Sequence, residues 1–89
     1  MEWCGTGTFV QSLAGHDKGR VYIIVREEEQ MVYLADGGRQ KVSQPKGKNR
    51  KHVQPIRRQF DGSGGWSDEA VKRAIQGYIK ESKECPRVI

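Results

Sequence analysis

The chain has 89 residues, 35% hydrophobic and 30% charged, so one small domain with a modest core is expected. Its aromatic content excludes wholesale disorder, and its longest apolar run, 21–25, is far too short to span a membrane. Sixteen Lys and Arg against 11 Asp and Glu give a net charge of +5, which favours a polyanionic partner. The N-terminal segment lacks the pattern of a signal peptide, so we expect a soluble cytoplasmic protein.

Alternating and β-branched residues predict three strands in the first part of the chain, at 6–13, 20–26 and 30–35. An acidic tip at 27–29 separates the second strand from the third. The pair Asp36-Gly37 then predicts a tight hairpin in which both central residues take positive φ.

The next segments are predicted as a fourth strand at 39–44, a basic loop at 46–52 and a short closing strand or turn at 52–56. Pro45 would end the fourth strand, because proline cannot donate a hydrogen bond to the ladder. Five short strands joined by tight turns indicate a mostly β fold, a small barrel rather than a βαβ unit.

A C-terminal amphipathic helix at 67–84 is predicted to follow the barrel, residues 1–58, after a Gly/Ser linker at 59–66. Ser67 is a good N-cap. Apolar residues at helical spacing form one face: Val71, Ala74, Ile75, Tyr78 and Ile79. Polar residues form another: Lys72, Gln76, Lys80 and Lys83. We expect the apolar face to pack on the barrel, with docking on another protein as the alternative.

Half of the positive charge lies between Gly37 and Phe60, a stretch that contains no acid. The eight cations are Arg39, Lys41, Lys46, Lys48, Arg50, Lys51, Arg57 and Arg58. Charge runs are usually solvated faces, but this density without an acid favours an anionic partner.

The loop after the first strand combines two glycines with two cations. Gly15 and Gly19 serve the turn, and the small side chains also let the backbone approach a phosphate closely. Lys18 and Arg20 flank Gly19 and supply positive charge. The loop is therefore a candidate binding loop, although Gly19 serving the turn alone is the competing interpretation.

Residues 7–25, GTFVQSLAGHDKGRVYIIV, resemble the KOW motif, a strand–loop–strand unit of several ribosomal proteins and of NusG-type transcription factors. Residues 45–52, PKGKNRKH, are similar to a segment that closes the barrel in a KOW subgroup, which includes an archaeal and eukaryotic large-subunit ribosomal protein family. The resemblance covers about residues 6–56. It implies an SH3-like barrel that binds RNA, typically ribosomal RNA, with the first loop as a contact surface. The Gly/Ser linker and the capped helix depart from this pattern.

Candidate RNA-binding residues come from the first loop and the basic stretch: His16, Lys18, Gly19, Arg20, Arg39, Lys41, Lys46, Lys48, Asn49, Arg50, Lys51 and His52. No exposed aromatic run interleaves these cations, so a base-stacking platform is not expected. We expect structured RNA, held mostly through phosphate, sugar and shape, with ribosomal proteins as further candidate partners.

No arrangement of nucleophile, base and orienting residue is recognisable, so an enzyme, a cofactor and a small-molecule substrate are not expected. Cys4 and Cys85 with His16 and His52 match no spacing typical of a zinc site. The two cysteines are read as reduced thiols, and a disulfide joining the two ends is the alternative.

The competing function is a protein-interaction module of the same fold. In that case the barrel or the C-terminal helix docks on RNA polymerase or a ribosomal protein, and the charge serves solubility or steering.

Overall fold

The structure, a computed structural model, describes residues 5–84; Cys4 and Cys85, and with them the terminal disulfide and zinc alternatives, lie outside this range. It contains a five-stranded antiparallel sheet and one C-terminal α-helix, which confirms the mostly β prediction. The strands are β1 (Thr8–Ser12), β2 (Val21–Glu27), β3 (Met31–Ala35), β4 (Lys46–Asn49) and β5 (Val53–Gln59). The helix is α1 (Asp68–Glu84), and two 3₁₀ turns lie at Arg50–His52 and Gly62–Gly64.

The strand order β4-β3-β2-β1-β5 follows from hairpins between consecutive strands, with β5 paired on the outer edge of β1. The first three strands begin and end within two residues of their predicted positions. In residues 5–84 the strand pairs do not include β4 with β5, so the sheet is not closed by hydrogen bonds.

Both faces of the central strand β2 are buried, which explains its nearly continuous apolar run. Tyr22 and Ile24 belong to one core cluster, and Ile23 belongs to another. The first cluster lies on the inner face of the sheet and draws on four strands: Val10, Tyr22, Ile24, Val32, Leu34 and Val53. Because strands as far apart as β3 and β5 contribute to it, the sheet is strongly curled.

The helix covers the opposite face of the sheet. Val71 and Ile75 pack with Phe9, Ile23 and Phe60, so the apolar helix face is used within the chain, as expected. Phe60 is buried within the segment 59–66, which anchors that segment to the core. In residues 5–84 no helix is both long and apolar enough to cross a membrane.

Two further contacts fix the helix. Ser67 is its N-cap, as predicted, because the Ser67 hydroxyl accepts a hydrogen bond from the Ala70 N–H at 3.1 Å. Arg58 of β5 forms a bidentate ion pair with Glu81, which raises the pKa of the Arg58 guanidinium and lowers the pKa of the Glu81 carboxyl.

The fourth strand was predicted at the wrong place. The segment 39–44 is a loop with a single bridge between Lys41 and Gln44, and β4 is formed instead by the start of the basic segment, Lys46–Asn49. The backbone of the loop is committed elsewhere, since the Val42 N–H donates to the Asp68 carboxylate at the start of α1, at 2.7 Å. Pro45 therefore precedes a strand instead of ending one.

The turn after β3 also differs from the prediction. Only Gly37 takes positive φ (80°), while Asp36 does not. The Asp36 carboxylate instead accepts hydrogen bonds from the Gly38 and Gln40 backbone N–H groups, each at 2.9 Å, which organises a wider turn. This turn lies against the first turn of α1: a Cβ on Gly37 would lie 2.2 Å from the Asp68 carbonyl oxygen.

Candidate nucleic-acid interface

The loop between β1 and β2 is built around one buried acid, Asp17. Its carboxylate accepts hydrogen bonds from the Ser12 hydroxyl at 2.9 Å and the Tyr22 hydroxyl at 3.0 Å. It also accepts from the ammonium groups of Lys48 at 2.8 Å and Lys46 at 3.0 Å. Four donors from both flanking strands and from β4 therefore fix the loop to the sheet.

These contacts decide the charge state of the acid. Burial alone would raise the pKa of Asp17, but the hydrogen bonds from Lys48, Lys46, Ser12 and Tyr22 outweigh it and hold the pKa well below its usual range. Burial, together with the bond to this carboxylate, raises the pKa of Tyr22 to about 12. At neutral pH the centre of the loop is thus an ionised acid with a neutral tyrosine.

Two predicted RNA-binding lysines point toward this acid. Lys46 and Lys48 are two residues apart in β4, so their side chains project from the same face. The Lys48 side chain is only 12% exposed, and its ammonium group also donates to the Ala14 carbonyl at 3.1 Å. The Lys46 side chain is 38% exposed, which leaves part of it available to solvent.

The rest of the basic segment is partly committed to the turn that follows β4. The Asn49 side chain accepts from the Lys51 N–H at 3.0 Å and caps the 3₁₀ turn. The Arg50 guanidinium folds over the acidic tip, donating to the Glu27 carboxylate at 3.0 Å and the Glu29 carbonyl at 2.9 Å. Lys51 is exposed, and His52 is partly buried.

Other predicted site residues lie on the surface around the loop. Exposed members are His16, Lys18, Gly19, Arg20, Arg39 and Lys41. Gly19 has φ of 90° with no atom near a would-be Cβ, so its backbone conformation, not crowding, requires glycine there. Its amide is engaged, since the Gly19 N–H donates to the Ser12 carbonyl at 2.8 Å.

The fold brings three basic segments together at one depression of about 80 Å³. His16 and Arg20 come from the first loop, Arg39 from the loop after β3, and Lys46 from β4. The sequence prediction named all four residues without indicating that they meet.

Arg20 and Arg39 also line a larger cleft, of about 660 Å³, on the side facing α1. Lys72, Gln76 and Ile79 of the helix also line it. None of these three was among the predicted RNA-binding residues. The sequence signal that could have indicated this surface is the i,i+4 spacing of Lys72 and Gln76, which puts both on one face of the helix.

The cleft has one acidic residue, Asp36, whose charge is largely satisfied internally. One carboxylate oxygen accepts the two backbone N–H groups of its own turn, and the other lies 3.8 Å from the Arg20 guanidinium. The Asp36 side chain is 15% exposed, whereas that of Arg20 is 56% exposed. The exposed charge of the cleft is therefore positive.

A scan of family models and a search of curated proteins found no match to this chain. Over residues 5–84 no group of three or more His, Cys, Asp or Glu side chains is arranged to hold a metal ion.

Proposed function

We propose that the protein binds structured RNA, with ribosomal RNA as the expected class, through the exposed cations around the β1–β2 loop. The observation that carries the proposal is the convergence of Arg20, Arg39 and Lys46 from three separate segments on one surface. Lys18 adds an exposed charge from the same loop.

The fixed conformation of the loop supports this proposal. A loop that orders only on binding loses conformational entropy at that moment, whereas this loop is already held by the bonds to Asp17. Lys48 and Lys46 also have a structural role here, since they neutralise Asp17, the buried acid of this loop.

The chemistry of the exposed groups fits a phosphate backbone. Arginine presents a planar fork suited to bidentate phosphate contacts, and lysine supplies a flexible point charge. In this proposal the curled five-stranded sheet is an SH3-like barrel of the KOW type, with residues 6–56 as its extent. The β1–β2 loop is the RNA-contacting loop that the resemblance implies.

The competing interaction-module function relied partly on an unoccupied helix face. That face packs on Phe9, Ile23 and Phe60, which removes most of it from partner binding. RNA binding is therefore the better supported function.

The test compares two double variants that each remove two positive charges. Arg20→Ala/Arg39→Ala removes both arginines shared by the two depressions. Arg26→Ala/Arg73→Ala is the control, because its side chains are exposed and line neither depression. Binding to a structured ribosomal RNA fragment is measured across a salt series.

We expect the Arg20/Arg39 variant to flatten the slope of log K against log salt by about two, because each lost phosphate contact lowers it by about one. The control should keep the slope close to that of the wild type. An equal decrease of the slope in both variants would mean that the interaction is a general attraction by net charge, and would contradict the proposed surface.

A further inference from the structure

The cleft between the β1–β2 loop and α1 combines a basic rim with an apolar floor. The basic lining residues, here called the rim, are Arg20, Arg39 and Lys72, and the apolar lining residues, here called the floor, are Val21, Ile75 and Ile79. A purely electrostatic contact with a duplex backbone needs the rim but not the floor. Val21 and Ile75 belong to the helix–sheet core, whereas Ile79 is exposed, so a ligand that brings an apolar surface together with its negative charge can bury Ile79.

We propose that this cleft holds a single unpaired nucleotide of the bound RNA, such as a bulged or loop base, with its phosphate on the basic rim. The inference rests on the proposed function and adds α1 to the RNA-binding surface. An unpaired nucleotide carries a phosphate and a flat base in one unit, and RNA recognition commonly uses such splayed-out bases.

Size and exposure agree with this occupant. The cleft volume of about 660 Å³ lies within the range of about 300–1,000 Å³ typical of pockets for small ligands. Ile79 is 38% exposed although it belongs to the apolar helix face, so it extends past the core and offers its side chain to the cleft.

The polar groups of the cleft suit each part of a nucleotide. Arg20 and Arg39 can hold a phosphate or stack on a base with the guanidinium plane. Gln76 lines the cleft together with Ile79 and supplies both a donor and an acceptor, as the edge of a base requires. The positive rim disfavours a basic peptide, and the one acid in the lining, Asp36, is bound to its own turn.

The experiment uses the full chain and two hairpin RNAs of equal length. One stem is fully paired, and the other carries one unpaired uridine in its middle. Affinity is measured near 0.1 M salt for the wild type, Lys72→Ala, Ile79→Ser, the double variant Arg20→Ala/Arg39→Ala and the control Lys80→Ala. Lys80 is an exposed lysine of the same helix that does not line the cleft. A photoreactive 4-thiouridine at the unpaired position maps the contact.

We expect the wild type to prefer the bulged RNA. Lys72→Ala should weaken bulged-RNA binding about five- to tenfold, as loss of one phosphate contact implies, with a smaller effect on the paired RNA. Ile79→Ser should lower the preference for the bulge, and Lys80→Ala should leave it unchanged. Crosslinks should fall on the helix residues that line the cleft.

Three results would overturn the inference, and they differ in whether the proposed function fails as well. If the wild type binds both RNAs equally and the Arg20/Arg39 variant still weakens both, the cleft assignment fails while RNA binding stands. If the wild type binds neither RNA, the proposed function fails as well. A bulge preference that survives both Lys72→Ala and Ile79→Ser also contradicts the cleft as its site.

Discussion

The ammonium group of Lys48 lies 2.8 Å from the carboxylate of Asp17, joining β4 to a loop 31 residues earlier in the chain. This ion pair lies in the interior, since the exposed fraction is 12% for the Lys48 side chain and 8% for that of Asp17. Lys48, from the most basic part of the sequence, thus holds the β1–β2 loop in place through an internal contact.

Replacing the acid tests this role. Asp17→Asn should lower the free energy of unfolding by about 2–4 kcal/mol, because Lys48, whose side chain is only 12% exposed, loses its counter-charge. The measurement is urea denaturation followed by circular dichroism. The control Glu69→Gln removes one negative charge from an exposed i,i+4 pair with Arg73 and should cost under about 0.5 kcal/mol. Similar losses in both variants would show that Asp17 contributes only its net charge.

The same acid predicts a pH dependence. The pKa of Asp17 is lower in the folded chain than its ordinary value of 3.8, so its contribution to stability is fully present above that value and is lost as the pH falls below about 4. The free energy of unfolding, measured from pH 6 to pH 2, should fall more steeply for the wild type than for Asp17→Asn. Parallel curves would contradict the depressed pKa.

Alanine variants of Lys48 and Lys18 distinguish a role in stability from a role in RNA binding. Lys48→Ala should lower the free energy of unfolding by about 1–3 kcal/mol, because Asp17 and the Ala14 carbonyl lose a buried donor, and should leave the salt slope of RNA binding unchanged. Lys18→Ala should leave the free energy of unfolding nearly unchanged and flatten the salt slope of RNA binding, since Lys18 is exposed in the loop. Both properties are measured on both variants at a temperature where each is folded. A flatter salt slope for Lys48→Ala would mean that its ammonium group leaves Asp17 to bind RNA.

Alanine variants of the neighbouring Gly37 and Gly38 test how closely the turn after β3 packs against α1. Gly37→Ala should cost about 2–4 kcal/mol, since the new Cβ would meet the Asp68 carbonyl and the Lys72 amide and the backbone has positive φ. Gly38→Ala should change stability by less than about 1 kcal/mol, because the space around Gly38 is open and its φ is not positive. Thermal unfolding of the two variants provides the comparison. Equal midpoints would contradict the tight seating of the turn on α1.

Local patterns were sufficient for the first three strands and for the helix with its Ser67 cap, because periodicity and capping depend on near neighbours. They failed for β4, where long-range contacts decide. The sequence KGKN has weak strand propensity, but β4 is held by pairing with β3 and by two lysines reaching Asp17. Gly47 fits this strand because the Tyr33 ring fills the space where a Cβ would project.

The sequence predicted many of the residues at the candidate site but not the directions in which their side chains point. The cations named from the sequence include Arg20 and Arg39, which lie together at the cleft, and Lys48, which points inward. A strand spacing of two between Lys46 and Lys48 indicates a shared face, but the acid they meet is far away in sequence. Lys72 reaches the cleft only because α1 packs on the sheet, so its place depends on the tertiary fold.

The most direct test of RNA binding is the affinity of the full chain for ribosomal RNA and for duplex DNA of matched length, measured across a salt series. We predict tighter binding to RNA and a steep decrease in log K with log salt, as expected for several phosphate contacts. Weak binding that is equal for RNA and DNA would contradict RNA recognition and reduce the basic surface to general attraction for polyanions.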